Sequence, residues 1–226
     1  MNWVHASAGL LLATSAVAAT TGASAFRQRA VPGRRMFGWT QFAVAMWAAT
    51  AGLDLLVGAL PTRMLLAKLQ YLGIASLPVF WFRFAGAYSH RLDALQGGLR
   101  GLWIVPVFTV TAAFTNDSHR LLWSAVVPSP DGPDLVFFHG PIFWINWAYA
   151  YVLLGWSTWW LIAALAELRG RARYRTQAGL LLAGTLIPWM ANLAFVLGFV
   201  ARGIDITPIA FAASGLCVII GMLQRP

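Results

Sequence analysis

Apolar residues in this chain come in long runs, broken by short connectors that are basic or rich in turn formers. Seven runs stand out: Trp3–Phe26, Met36–Leu60, Leu69–Tyr88, Gly101–Thr115, Ile142–Ala166, Ala178–Val200 and Pro208–Leu223. Each meets or approaches the roughly 20 residues that a helix needs to cross about 30 Å of hydrocarbon. The fourth and the seventh are the shortest. No period-two alternation persists over the chain, which argues against a β-barrel. Backbone groups in lipid must be satisfied within their own segment, so the runs read as helices. The expected fold is an all-α membrane protein, a bundle of seven transmembrane helices forming one domain over 1–226.

Charge sets the orientation. The connectors after the first, third and fifth runs hold Arg27, Arg29, Arg34 and Arg35, then Arg91 and Arg100, then Arg169, Arg171, Arg173 and Arg175; Arg225 follows the seventh run. The opposite side holds Arg63, Lys68, Arg120 and Arg202, and Arg83 lies within the third run. The positive-inside rule then places the N-terminus outside and the C-terminus in the cytoplasm, in a multi-pass protein of the cytoplasmic (inner) membrane. Composition agrees: 59% of residues are hydrophobic and 10% charged, against about 25% charged in a soluble domain. The formal charge of +9 is accounted for by topology and calls for no nucleic acid. Ala23-Ser24-Ala25 is similar to a signal-peptidase site, but no positive residue precedes the first run and the arginines follow it, so it reads as a span. A single cysteine, Cys217, excludes a disulfide framework. The longest connector, Asn116–Pro141, joins the turn-forming stretch Pro128–Pro133 to the apolar Leu135–Phe138. It is expected to fold back as a lid or to lie at the interface.

Hydrophilic side chains inside lipid are expensive, and each is a functional hypothesis by default. They gather toward the outer half of the bundle: Asp54 near the end of the second run, Gln70 and Tyr71 opening the third, and Asn116 and His119 after the fourth. Asn146 follows in the first turns of the fifth run, flanked by Trp144 and Trp147, with Asn192 near the end of the sixth and Asp205 before the seventh. With Trp123 and Trp189 these form the candidate ligand-binding set, around a cavity open to the outside. The competing explanation is that Asn and Gln simply bond neighbouring helices, at about 0.6 kcal/mol each. Asp54 is the strongest case, because an unpaired carboxylate at that depth costs about 2.5–3.5 kcal/mol. His119, Arg120 or Arg202 are its candidate partners, and a protonated carboxyl is the alternative. No second histidine stands at helical spacing from His119, so no metal is expected, and no cofactor. Pro78, Pro106 and Pro188 kink their helices, and Gly9, Ala13, Ala16 and Thr20 offer a small-residue contact face on the first. The abundant tryptophans suit an apolar or amphipathic ligand, or plain packing.

Four motifs then carry a resemblance. Leu66-Ala67-Lys68-Leu69-Gln70-Tyr71-Leu72-Gly73-Ile74 with Pro78 and Trp81-Phe82, and Thr115-Asn116-Asp117-Ser118-His119-Arg120-Leu121-Leu122-Trp123, come first. Tyr174-Arg175-x-Gln177 with Ile187-Pro188-Trp189 and Asn192, and Asp205-Ile206-Thr207-Pro208-Ile209, follow in order. Together they resemble the seven-helix sensory region at the N-terminus of many histidine kinases. The resemblance implies a receptor module that binds a small molecule in an extracytoplasmic pocket and signals through its last helix to a cytoplasmic kinase output domain. Membrane lipids surround such a module, and a homodimer is an open option because kinase receptors generally act as dimers. Many members carry a glutamate in the second helix, where this chain has Asp54. Arg225-Pro226 follows the last run directly, so no kinase activity is expected of these residues, and the chain reads as either an excised sensory region or a stand-alone relative. A small transporter, or an intramembrane enzyme acting on a lipid-like substrate with Asp54 and His119 as acid and base, is the alternative. A retinal protein of the Schiff-base kind is excluded because the single lysine, Lys68, lies outside the last run, which leaves only noncovalent pigments.

Overall fold

The computed structural model describes residues 2–28, 31–92, 98–129, 135–167, 172–197, 199 and 206–223. Within them the chain is mostly helical: α1 (Asn2–Arg27), α2 (Arg34–Leu56), α3 (Leu60–Tyr88), α4 (Ile104–Phe114, entered through a 3-10 turn at Gly101–Trp103), the single turn α5 (Asn116–His119), α6 (Pro141–Glu167), α7 (Ala172–Val196) and α8 (Thr207–Leu223). Each predicted run overlaps one of these helices, without matching its bounds. Two helical segments, Trp3–Arg27 and Leu60–Tyr88, are long and apolar enough to cross a membrane by that measure alone; Gly101–Phe114, Leu180–Val196 and Thr207–Ile220 are shorter apolar helices. Large apolar side chains such as Ile104, Val152, Trp159 and Met190 stand exposed on the outer faces.

In lipid, apolar side chains gain little by leaving the tails, so helix association depends on close packing and interhelical bonds. α3 is the hub. It packs against α2, α4 and α6, while α8 contacts α7, α1 and α2 and so links the two sides of the bundle. One core cluster joins Phe37, Trp81, Phe84, Leu161, Leu181 and Val218 from five helices; a second joins Ala18, Val44, Trp47, Leu77 and Phe211. Gly73 permits the α2–α3 approach, since a Cβ there would meet the Ala43 carbonyl at 2.5 Å.

Two expectations need correction. The third helix begins at Leu60 rather than Leu69. Pro61 suits a first turn, and the charges that read as connector are absorbed by pairing: Arg63 with Asp54, and Lys68 with Asp117 at 2.6 Å. The contact face of α1 is not Gly9, Ala13, Ala16 and Thr20. Gly9 has no neighbour within 4 Å, and the other three are exposed. The buried stripe is Ala8, Leu11, Thr14, Ala18, Thr21 and Ala25, spaced by three and four. Both rows are small-residue rows, so composition alone did not separate them. The long connector, expected to fold back or to lie at the interface, holds an antiparallel hairpin over the bundle, β1 (Trp123–Pro128) with β2 (Leu135–His139), pairing Val126 with Phe137 and Val127 with Val136. Its β-branched and aromatic runs on either side of a Pro-Gly segment are the local signature of a hairpin.

Candidate functional site

One end of the bundle collects the C-terminal ends of α2, α4 and α7, the N-terminal ends of α3, α6 and α8, and the hairpin between α4 and α6. Two features fasten it. Asp54, near the end of α2, accepts two bonds from Arg63 in the first turn of α3, from Nε to Oδ1 at 3.0 Å and from Nη2 to Oδ2 at 3.1 Å. Both side chains are largely buried, 15% and 9% exposed. This two-bond fork is the strong form of an arginine–carboxylate pair. Asp54 is thus paired across the α2–α3 turn, with Arg63 rather than with His119 or Arg120, while Arg202 lies outside the described residues.

Asn116 is the second fastening. Its Oδ1 accepts from the backbone N–H groups of Leu122 and Trp123, each at 3.0 Å, and its Nδ2 donates to the Trp123 carbonyl at 3.0 Å. The side-chain amide thereby acts like an extra peptide group holding the start of β1. Trp123 is pinned against Tyr71 of α3 (centroids 5.4 Å apart, edge-on) and against Phe137 of β2 (5.1 Å). Gly140 closes the hairpin. Its N–H donates to the Leu122 carbonyl at 2.8 Å, and a Cβ there would lie 2.2 Å from the Leu121 carbonyl oxygen. His119 serves the same turn: its Nδ1 accepts from the Leu121 N–H at 2.9 Å. Its Nε2 faces Thr115 Oγ1 at 3.1 Å, and that hydroxyl donates to the Thr111 carbonyl at 2.7 Å. This network puts the ring proton on Nε2 and uses both nitrogens locally.

Beneath the hairpin lies a cavity of about 420 Å³, within the range of small-molecule sites. Its wall comes from α1, α2, α3, both strands, α6, α7 and α8 and is mostly apolar, including Leu55, Ile74, Leu77, Phe143, Phe195 and Phe211. Polar groups are few and held in place. On α6, the Asn146 Oδ1 accepts from Thr109 Oγ1 of α4 at 3.4 Å. Further along, the Tyr151 hydroxyl donates to Asn192 Oδ1 of α7 at 3.1 Å, with its ring tilted against Trp147 (centroids 4.3 Å apart) and Trp189 (5.3 Å). His139, at the end of β2, lies flat on Phe143 with centroids 3.5 Å apart, and burial pushes its pKa below the ordinary 6.5. Asp54 and Arg63 are the wall's lasting charges, and they pair with each other. No triad of His, Cys, Asp or Glu that could hold a metal occurs among the described residues. The arrangement is that of a largely apolar chamber with a few fixed polar groups.

Of the residues singled out in the sequence, Asp54, Gln70, Tyr71, Trp123, Asn146, Trp147, Trp189 and Asn192 line this cavity together. Asn116, His119 and Trp144 do not. The first two hold the hairpin's entry, and Trp144 is 47% exposed, edge-on to Phe143 and Trp147. Asp205 lies outside the described residues. Sequence reasoning passed over Arg63, His139, Tyr151 and Trp47, which also line the wall. Tyr151 was findable, one helical turn beyond Trp147 on the same face of α6. Arg63 was hidden by being counted as connector.

Comparison with curated proteins and with solved structures gives no match. Residues 10–226, nearly the full length, match the family described as the N-terminal 7TM region of histidine kinase. That match is to the input region and not to a catalytic kinase domain. The motifs on α3, the α4–β1 junction, α7 and α8 and the family match agree, and the chain belongs to the N-terminal seven-transmembrane region family of histidine kinases.

Proposed function

We propose that the chain is the sensory input module of a membrane signalling system, crossing the inner membrane seven times with its N-terminus outside. The cavity beneath the hairpin takes up a small apolar or amphipathic molecule from the extracytoplasmic side, and the last helix passes the bound state to a cytoplasmic kinase output. One observation carries this reading: residues from six helices and a hairpin converge on a single chamber, at the end of the bundle opposite the arginine-rich connectors. Positive-inside topology makes that end extracytoplasmic.

Transmission needs an element with two arrangements that the ligand biases differently. Pro78 in α3 and Pro188 in α7 both line the chamber and each removes a helix hydrogen bond at its level. Thr207 and Phe211 place the first turns of α8 in the same wall. A ligand seated there touches the kinked helices and the output helix at once. Native mass spectrometry of gently purified protein tests the chamber. A retained small molecule in the wild type should be absent from Ala150→Trp, which fills the cavity from α6. Adducts identical in both proteins would remove the basis for this reading.

A further inference from the structure

We propose that the chamber recognises a neutral, largely hydrocarbon molecule through its carbonyl-type oxygens, with the hydrogen-bond donors supplied by the wall of α6 and α7. The proposal rests on the ligand-binding reading above and specifies the chemistry of the ligand.

On the α6 and α7 side of this wall the polar atoms left over are donors, while elsewhere in it Trp47 Nε1 and His139 Nδ1 are also buried without a partner among the described residues. Asn146 and Asn192 each have their side-chain oxygen occupied, by the hydroxyls of Thr109 and Tyr151 respectively. Their NH2 groups have no acceptor among the described residues, and an amide NH2 can only donate. Trp147 and Trp189, each on the same helix as one of these asparagines, carry buried indole Nε1 atoms with no partner. Indole is likewise a donor without an acceptor. Buried polar groups are nearly always paired, so a wall with this surplus is matched by a guest that brings acceptors. Charge narrows the class further. The carboxylate of Asp54 is consumed by Arg63, so a cation finds no counter-ion, and an anion would have to break the same fork to reach the guanidinium. The remaining wall is hydrocarbon and aromatic, which fits an uncharged apolar body.

A matched set of probes separates these features: 9,10-anthraquinone, anthracene of the same shape without oxygens, and anthraquinone-2-carboxylate. Retention by the detergent-purified full chain is counted by mass spectrometry above an empty-micelle control, with Ala150→Trp as the blocked cavity. The proposal expects anthraquinone to bind the wild type at least about tenfold more tightly than anthracene, the scale of one hydrogen bond at a dry site. It expects the carboxylate to bind more weakly than the neutral quinone. Asn192→Leu and the milder Trp189→Phe, which deletes only the N–H, should each shrink the preference for anthraquinone while leaving anthracene binding unchanged. Equal binding of anthraquinone and anthracene, blocked by Ala150→Trp, would overturn the donor wall and leave the chamber intact as a ligand site. Tighter binding of the carboxylate would overturn the neutral class. Retention of no probe above the control would sink the ligand reading and this proposal together.

Discussion

The Asp54–Arg63 pair shows how the molecule accommodates charge at depth. Breaking a buried pair leaves one ion uncompensated and typically costs about 3–5 kcal/mol. Arg63→Ala should therefore lower thermal stability strongly, whereas Arg63→Ala combined with Asp54→Ala should recover a large part of it. Melting curves of the three variants in one detergent check this; additive losses would contradict a coupled pair. His139 offers a pH test. Because burial depresses its pKa below 6.5, the unfolded chain takes up a proton near pH 6.5 that the folded hairpin refuses. The stability tied to His139 is full above pH 6.5 and falls as the pH drops toward the lowered folded value. Melts between about pH 7.5 and about pH 5.5 should show this loss, and His139→Phe, which keeps the stack on Phe143, should reduce it. The single residues also mark what sequence could tell. That Asp54 needed a partner was legible from its depth. Which partner was not, because Arg63 sits where a connector was expected and only the early start of α3 brings the two together. Asn116 and His119 read as ligand groups by type, yet both spend their polar atoms within the hairpin's entry.

The hairpin is the least helix-like part of the fold and roofs the chamber. It is held by the amide of Asn116, by Trp123 wedged against Tyr71, and by the tight return at Gly140. Gly140→Ala drives a methyl into the Leu121 carbonyl, and overpacking of this kind costs about 1–3 kcal/mol. The expected result is a hairpin released from α3, seen as faster proteolysis between residues 121 and 140 with the helical circular dichroism retained. Unchanged protection would show that the roof does not depend on this close approach. The helices themselves were readable from unbroken apolar length, which needs no tertiary information. The strands were not, because five or six residues of apolar sequence between turn formers fit a strand and a membrane-facing loop alike. The contacting face of α1 was misread for a related reason. Small residues line both sides, and which side packs is decided by α2 and α8.

Taken as one body, the bundle divides by chemistry. Its arginine-rich connectors lie at one end, and its chamber, ion pair and hairpin lie at the other. That division was visible in the sequence as an uneven distribution of costly side chains, and five of those positions meet around one hollow with three tryptophans. In the proposed reading the coupling to output runs through α8, whose first turn lines the hollow and whose body packs on α7, α1 and α2. A sensory module of this kind must have its chamber reached from the extracytoplasmic side. With Cys217 replaced by serine, a cysteine placed at Ala150 reports this directly through labelling with a small membrane-impermeant thiol reagent. Labelling in intact spheroplasts, slowed when the chamber is filled, is the predicted result. Labelling that appears only when the cytoplasmic face is opened would contradict it.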